Sequence, residues 1–213
     1  MSHNLRAPLA NALGLVNLLS LEQADTPEFK RAQAYLKTSL RQFDQVLLDI
    51  NTILAIRDKQ SLAEPENMRL ADIVEQVRQS LQDVLHNCGG TLRTTIPAGF
   101  QVRGNRAYLY SIFFNLLSNA IKYRHAGRPL LVELAATEGT GQGQLIMLPD
   151  NGLGIDLANA GADVFKLYKR FHPQHPGRGV GLYITKTHVE SMGGHIGVSS
   201  QVGAGTQFTI TLR

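Results

Sequence analysis

Apolar positions organise the first quarter of the chain. Leu5, Leu9, Ala12, Leu13, Val16 and Leu19 recur at helical spacing and predict an amphipathic helix. Pro8 falls in its first turns, where proline is tolerated or kinks the helix. The stretch 21–27 predicts a turn, with Thr26 as N-cap of a second helix and Pro27 at its first position. Phe29, Ala32, Leu36, Leu40, Phe43, Leu47, Ile50 and Leu54 then follow one another close to a heptad seam. Two such helices joined by a short turn make a hairpin, and a lone hairpin cannot bury both apolar stripes. The expectation is a homodimer through the hairpin, a four-helix bundle made by two-fold symmetry.

Beyond this the period changes repeatedly. The polar stretch from Gln60 to Met68, with Pro65, reads as a linker. Helical patterns follow at Leu70–Leu85, Asn105–Tyr123 and Gly179–Met192. Strand patterns appear at Thr91–Ile96, Gln101–Val102, Leu130–Ala136, Gln144–Leu148, His195–Ser200 and Thr206–Leu212. Without strict alternation of strand and helix, this predicts an α+β fold: an α/β sandwich with helices on one face of a mixed sheet. The predicted domains are 1–60 (helical hairpin), 61–68 (linker) and 69–213 (sandwich).

Composition changes this picture little. The chain has 213 residues, 43% of them hydrophobic, enough for a real core. The net charge is only +4 and the basic residues are scattered, which excludes a nucleic-acid groove. Cys88 is the only cysteine, so no internal disulfide forms; this fits a reducing compartment, with the thiol packed as a small hydrophobe. No apolar run approaches the roughly 18 residues that span a bilayer, so no membrane contact is expected in this stretch. The first helical pattern is already under way at residue 5. The expected setting is therefore cytoplasmic, within a larger protein, either membrane-attached or free.

Three segments carry candidate chemistry. Asn115 and Asn119 lie four apart on one predicted helix, hence on one face, with Lys122 and Tyr123 a turn further on. Amide oxygens suit a magnesium ion that phosphates and waters already coordinate. Lys122 can offer charge to phosphate, and Tyr123 a face to a purine. Asp150 ends an apolar strand and precedes Asn-Gly-Leu-Gly154; a carboxylate is an acceptor only, which suits an exocyclic amino group. Gly152 and Gly154 allow backbone to approach a base closely, although Asp-Asn-Gly also suits an ordinary tight turn. Gly177, Gly179 and Gly181 open a helix whose N–H groups can bind phosphate. They lack the Lys-Ser/Thr ending of a P-loop. The preceding run, 171–176, is rich in His and Pro and reads as a lid.

In combination these segments, in this order, resemble the catalytic core of two-component sensor histidine kinases. The run 2–9 around His3 resembles the H box, 115–123 the N box, 150–154 the G1 box, 164–171 the F box and 177–182 the G2 box. Gly203-Ala-Gly-Thr-Gln-Phe208 is similar to the last element of the family's ATP-binding domain. The resemblance implies a dimerisation and phosphotransfer hairpin followed by a Bergerat-type ATP-binding domain. It implies that His3 is the phosphoacceptor and that ATP and Mg²⁺ are bound. Asn119 would ligate the metal with Asn115 nearby, and Asp150 would meet the adenine amino group with Thr206 close to it. Lys122, Arg170 and the Gly177–Leu182 amides, including Leu182, would lie near the phosphates. The implied partner is a response regulator receiver domain with an acceptor aspartate. The alternative is a phosphotransfer and dimer scaffold with a weakened or inactive kinase domain. Gyrase- or MutL-like motors and serine kinases share such pockets but lack the histidine-bearing hairpin.

Two positions depart from the pattern. Asn4 stands where the family commonly has an acidic proton acceptor, and Ala7 where a Thr or Asn orients water in dephosphorylation. A positioned general base is worth about 10²–10⁴-fold. Autophosphorylation is thus expected to be slowed but not lost, and Asn4→Glu to accelerate it. An unchanged rate of label uptake from γ-labelled ATP would show that the missing base is not limiting.

Overall fold

The computed structural model describes residues 64–139, 143–175 and 178–213, together with 14, 16, 19, 26, 27, 29–36 and 40. The chain divides into two compact units, 1–61 and 62–213.

In the first unit, Gly14, Val16 and Leu19 are helical, as are Pro27 and 29–36. Thr26 caps the second helix as the sequence predicts. Its Oγ1 accepts from the Phe29 N–H at 3.1 Å, and its carbonyl accepts from the Lys30 N–H at 3.1 Å. Within the seam Ala32 is buried, whereas Leu40 is 52% exposed. Phe43, Leu47, Ile50 and Leu54 lie outside the described residues, as does the closure of the two helices into a hairpin.

The second unit begins with β1 (Glu66–Arg69), α1 (Leu70–Ser80), α2 (Gln82–Asn87), β2 (Thr91–Thr95) and β3 (Gln101–Gly104). There follow α3 (Arg106–Lys122), β4 (Leu131–Glu138), β5 (Gln144–Asp150), α4 (Leu157–Ala160), α5 (Gly181–Ser191), β6 (His195–Gln201) and β7 (Gly205–Leu212). Five strands form one sheet in the order β2-β4-β5-β7-β6, while β1 and β3 pair separately. The β2–β4 pairing is parallel and the other pairings in the sheet are antiparallel, so the sheet is mixed as expected.

Alternate residues of the strands point into one core. Val132, Leu134 and Ala136 of β4, Ile146 and Leu148 of β5, and Phe208, Ile210 and Leu212 of β7 are all buried there. The helices meet them with Ile73 and Val77 of α1, Ile112, Phe113 and Leu116 of α3, and Val189 of α5. Each fully buried side chain of this size contributes roughly 1.5–3 kcal/mol. The intervening strand residues Glu133, Thr137, Ser199 and Thr211 are exposed, so the helices cover one face.

Helix α3 connects this core to the site. Asn105 caps it, its side chain accepting from the Tyr108 N–H at 3.2 Å. Leu109, Ile112, Phe113, Leu116, Leu117, Ala120 and Ile121 form its buried stripe. Asn115, Asn119 and Lys122 fall beside that stripe and are only half-buried.

The structure corrects three readings. The helix expected over 70–85 breaks at Leu81 (φ −107°, ψ 4°), whose N–H donates to both the Val77 and Arg78 carbonyls. Leu81 stays in the core, but α2 beyond it has no fully buried residue and only Leu85 packs partly on the core, so no apolar stripe sustains one straight helix. Residues 61–68, read as a linker, include the start of β1, where Met68 is buried and pairs with Val102 of β3. A strand with one buried residue leaves little signal in sequence. The short helix α4 and the 3₁₀ turn Gly161–Asp163 were also not expected.

Pro149 occupies a central strand. The β5–β7 register runs without interruption, including Pro149↔Gln207. The β4–β5 register passes from Val132↔Asp150 to Ala135↔Met147, skipping Pro149. The missing N–H of proline is therefore taken from the β4 side.

His188 of α5 is buried and stacks on Tyr108 with ring centroids 4.3 Å apart and planes 10° apart. Its Nδ1 has no hydrogen-bond partner among the described residues. Burial lowers its pKa from 6.5 to about 4. The folded state thus favours the neutral ring, so its contribution is intact above the ordinary pKa and is lost as pH falls from there toward 4. Between pH 7 and pH 5 the loss is roughly 2 kcal/mol. His188→Phe keeps an aromatic face for Tyr108 and removes the titration. Urea denaturation at the two pH values is expected to show the variant gaining roughly that amount on the wild type at pH 5; parallel losses would contradict the assignment.

Candidate functional site

The C-terminal end of α3, the end of β5, the start of α5 and the start of β7 converge on one region. Asp150, the last residue of β5, pairs with Thr206 of β7 and Val132 of β4. Its Oδ1 accepts from the Gly152 N–H at 2.7 Å. Burial raises the carboxyl above its ordinary value, while the Gly152 and Thr206 N–H groups and the nearby Arg128 charge pull the other way. The net direction is upward, because two neutral donors do not replace full hydration.

The turn after Asp150 is packed against its surroundings. A Cβ on Gly152 would stand 2.6 Å from the Tyr123 carbonyl and 2.8 Å from Asp150 Oδ1. Gly154 has φ +70°, and its Cβ would overlap the Gln201 carbonyl; Gly205, at φ +128°, lies as close to the Asp150 carbonyl. Gly154 and Gly205 must be glycine on both counts, space and backbone angle, and Gly152 on space alone. Leu153 N–H donates to the Tyr123 carbonyl at 2.9 Å, and Gly203 N–H to the Leu153 carbonyl at 2.7 Å. The turn is thereby bonded to the end of α3 and to the β6–β7 turn. Thr206 is buried, its Oγ1 2.9 Å from Ser200 Oγ, which itself donates to the Gly205 carbonyl at 2.7 Å.

On α3, Asn115 faces the start of α5: a Cβ on Gly181 would lie 3.4 Å from Asn115 Oδ1. Asn119 lies one turn further along α3, and its carbonyl accepts from the Tyr123 N–H at 2.9 Å. Lys122 Nζ donates to the Tyr123 hydroxyl at 2.7 Å and lies 4.4 Å from that ring's centroid. Leu182 packs partly buried on the core. Val180 caps α5, whose first residue is Gly181, so the predicted helix start is correct within two residues.

The segments read as F box and G2 box are in contact. Tyr168 N–H donates to the Gly179 carbonyl at 2.8 Å. Both residues have positive φ, 65° for Tyr168 and 72° for Gly179, and a Cβ on Gly179 would overlap Lys169. Lys166 and Lys169 bond the Asp163 carboxylate and hold its pKa down to about 2. The predicted lid then crosses the site. His172 Nε2 is 2.8 Å from the Gly154 carbonyl, and the His172 and His175 rings lie 5.1 and 5.5 Å from Tyr123. Burial lowers the His172 pKa, with the His175 and Lys122 charges acting in the same direction. Arg170 donates to the Pro173 and His175 carbonyls at 2.6 and 2.8 Å, so it braces the lid internally.

The structure thus brings together Asn115, Asn119, Lys122, Tyr123, Asp150, Gly152, Gly154, Gly179, Gly181 and Thr206, with Arg170 and Leu182 at the margin. Gly177, His3 and Asn4 lie outside the described residues. Sequence reasoning missed Arg128 and Ser200 and gave no individual role to Asn151 or His172 within their segments; their partners are 18 to 75 residues away or bound through backbone atoms. Among the described residues there is no cluster of three His, Cys, Asp or Glu fit for a metal, so any metal here would depend on amide oxygens and its own ligands. No described helix is long and apolar enough to cross a membrane.

The chain is similar, over residues 104–213, to the family described as histidine kinase-, DNA gyrase B-, and HSP90-like ATPase. The autoinducer 2 sensor kinase/phosphatase LuxQ of Vibrio cholerae is 31% identical over 218 residues, covering 100% of this chain and 25% of that protein. Sensor protein GacS of Pseudomonas syringae is 31% identical over 237 residues, covering 100% of this chain and 24% of that protein. The chain therefore spans about a quarter of the length of these curated relatives. Among solved structures, Acinetobacter baumannii histidine kinase AdeS shares the fold with a TM-score of 0.73 at 21% identity, over 99% of this chain and 96% of that one. Full-length ShkA in complex with AMPPNP shares it with a TM-score of 0.68 at 23% identity, over 99% of this chain and 44% of that one.

The glycine contacts yield a stability prediction. Gly154→Ala adds a clash with backbone to the left-handed strain, whereas Gly203→Ala, at φ +77° with open space around it, adds strain alone. Strain of this kind costs about 1–2 kcal/mol. Thermal denaturation is expected to show Gly154→Ala clearly less stable than Gly203→Ala; equal losses would show that the turn relaxes freely.

Proposed function

From its membership of the histidine kinase-, DNA gyrase B- and HSP90-like ATPase family, we propose that the chain is the catalytic core of a two-component sensor histidine kinase. It autophosphorylates on His3 from ATP and passes the phosphoryl group to an aspartate of a response regulator. The observation that carries this reading is Asp150: a half-buried carboxylate at a strand end, meeting backbone N–H groups, beside glycines that keep side chains away. Such a group is an acceptor placed for an exocyclic amino group, as adenine N6 offers. The half-buried amides of Asn115 and Asn119 lie on α3, and Asn115 faces the opening turn of α5. The N–H groups of that turn suit phosphate.

In this reading Asp150 and the Gly152–Gly154 turn hold adenine, with Thr206 beside them. Tyr123 supports the base; Lys122, Arg170 and the 177–182 amides, Leu182 included, meet the phosphates. Asn119 would hold Mg²⁺ by its amide oxygen, with Asn115 beside it, and the ion would neutralise phosphate charge. An imidazole with a pKa near its ordinary value of about 6.5 is largely neutral at pH 7. The unprotonated ring nitrogen of His3 attacks the terminal phosphorus: the N–P bond forms, the bond to the bridging oxygen breaks, ADP leaves and the other ring nitrogen gives up its proton. Asn4 cannot accept that proton, so water receives it. In-line positioning and charge neutralisation supply the rest of the catalysis. The apolar Leu40, exposed in a single copy, supports dimerisation through the helices of the first unit. The protein acts inside the cell, as part of a longer sensor. The scaffold alternative is not favoured, because Asn119, Asp150 and the paired glycines are all retained in the sequence.

Incubation with γ-labelled ATP and Mg²⁺ is expected to leave acid-labile, base-stable label on the protein. His3→Ala should lose the label while keeping ATP affinity. Release of free phosphate without any labelled protein would point to a plain ATPase instead.

A further inference from the structure

Arg128 lies in the turn between α3 and β4, outside every segment that the sequence singled out. Its guanidinium makes three bonds to main-chain carbonyls. Nε donates to Asn151 O at 2.8 Å, and one terminal nitrogen donates to Gly152 O at 3.0 Å and to Gly203 O at 2.6 Å. Two of these carbonyls belong to the turn that follows Asp150 and the third to the turn between β6 and β7. The planar fork of arginine reaches several acceptors at fixed angles, which a lysine ammonium does not reproduce. Its neighbours continue the same construction. Asn151 Oδ1 accepts from Leu131 N–H at 2.9 Å, and Asn151 Nδ2 donates to the Pro129 carbonyl at 3.0 Å. The residue next to Arg128 is thus bonded to the same turn.

We propose that Arg128 is the positioning residue of the adenine subsite, clamping the 150–154 turn to the β6–β7 turn so that the Asp150 carboxylate meets the base at one fixed angle. This deepens the nucleotide-binding reading and rests on it. Arg128 bonds to the carbonyls behind the carboxylate and acts on the nucleotide through Asp150. It acts in two ways. The three bonds fix the turn, and the positive charge favours ionised Asp150, partly offsetting the effect of burial. Only the ionised form is purely an acceptor for the amino group. Nucleotide affinity is therefore lost as pH falls through the Asp150 pKa, which lies above the ordinary carboxylate value. Removing Arg128 raises that pKa further and moves the acid limb to higher pH.

The test compares binding of ADP–Mg²⁺ and of inorganic triphosphate–Mg²⁺ by calorimetry across pH, for wild type, Arg128→Ala and Arg128→Lys. The second ligand has phosphates and no base. Arg128→Ala is expected to weaken ADP by about tenfold or more, with triphosphate affinity unchanged and the acid limb of the ADP profile shifted upward. Arg128→Lys should restore the acid limb while recovering only part of the affinity. If ADP and triphosphate weaken together, or ADP binding is unchanged, Arg128 is an ordinary structural residue and the inference is overturned. Should Arg128→Ala not fold, Arg128→Lys decides: weaker ADP with unchanged triphosphate supports the clamp, and wild-type ADP affinity overturns it. A wild-type protein that binds neither ligand overturns the nucleotide reading and this inference with it. Wild-type binding with an unaffected variant overturns the inference alone.

Discussion

Burying an ionisable carboxylate at the end of a central strand is unfavourable unless donors meet it. At Asp150 the donors are the main-chain N–H groups of Gly152 and Thr206, and they do not fully offset burial. Much of the surrounding structure follows from this. The chain must turn sharply to bring the Gly152 N–H back to Oδ1, and that turn passes so near Tyr123, Gln201 and Asp150 itself that Gly152, Gly154 and Gly205 leave no room for a side chain. A group kept in an unfavourable environment by a rigid frame is a common mark of function. Here the frame consists of strands β5 and β7, whose register is continuous up to this point.

The lid is joined to the same turn. His172 meets the Gly154 carbonyl and, with His175, rests on Tyr123, while Lys122 bonds the Tyr123 hydroxyl. The carbonyl of Gly154 accepts, so His172 Nε2 carries the proton. Burial first, and then the neighbouring His175 and Lys122, disfavour protonation of His172 and lower its pKa. Three elements distant in sequence, α3, β5 and the lid, therefore share one small polar cluster.

The parts of the molecule legible in sequence were those with strong periodicity or punctuation. The buried stripe of α3, the alternation of β4, β5 and β7, and the Thr26–Pro27 start of a helix all have local causes. The same holds for Asn115, Asn119, Asp150 and the glycines, which form compact motifs. What escaped notice depends on partners far along the chain. Arg128 is 75 residues from Gly203, and nothing near Arg128 marks that pairing. Strand β1 escaped because one buried residue in four sets no period, and the break at Leu81 because α2 exposes Val84 where a stripe should continue. Local pattern specifies elements, and contacts across the fold decide where they stop.

Pro149 shows how the two levels combine. Proline in a central strand removes a ladder bond, and β4 loses pairing just before Asp150. An unsupported strand end would let the carboxylate wander. Asn151 repairs the gap: its N–H donates to the Leu131 carbonyl at 3.2 Å and its side chain accepts from the Leu131 N–H at 2.9 Å. Arg128 then bonds the Asn151 and Gly152 carbonyls from the other side. The register of β4 against β5 at the site is thus set by a side chain and a guanidinium rather than by ladder bonds through residue 149. Position 149 tolerates proline because the residues flanking Asp150 carry the alignment that the strand itself gives up.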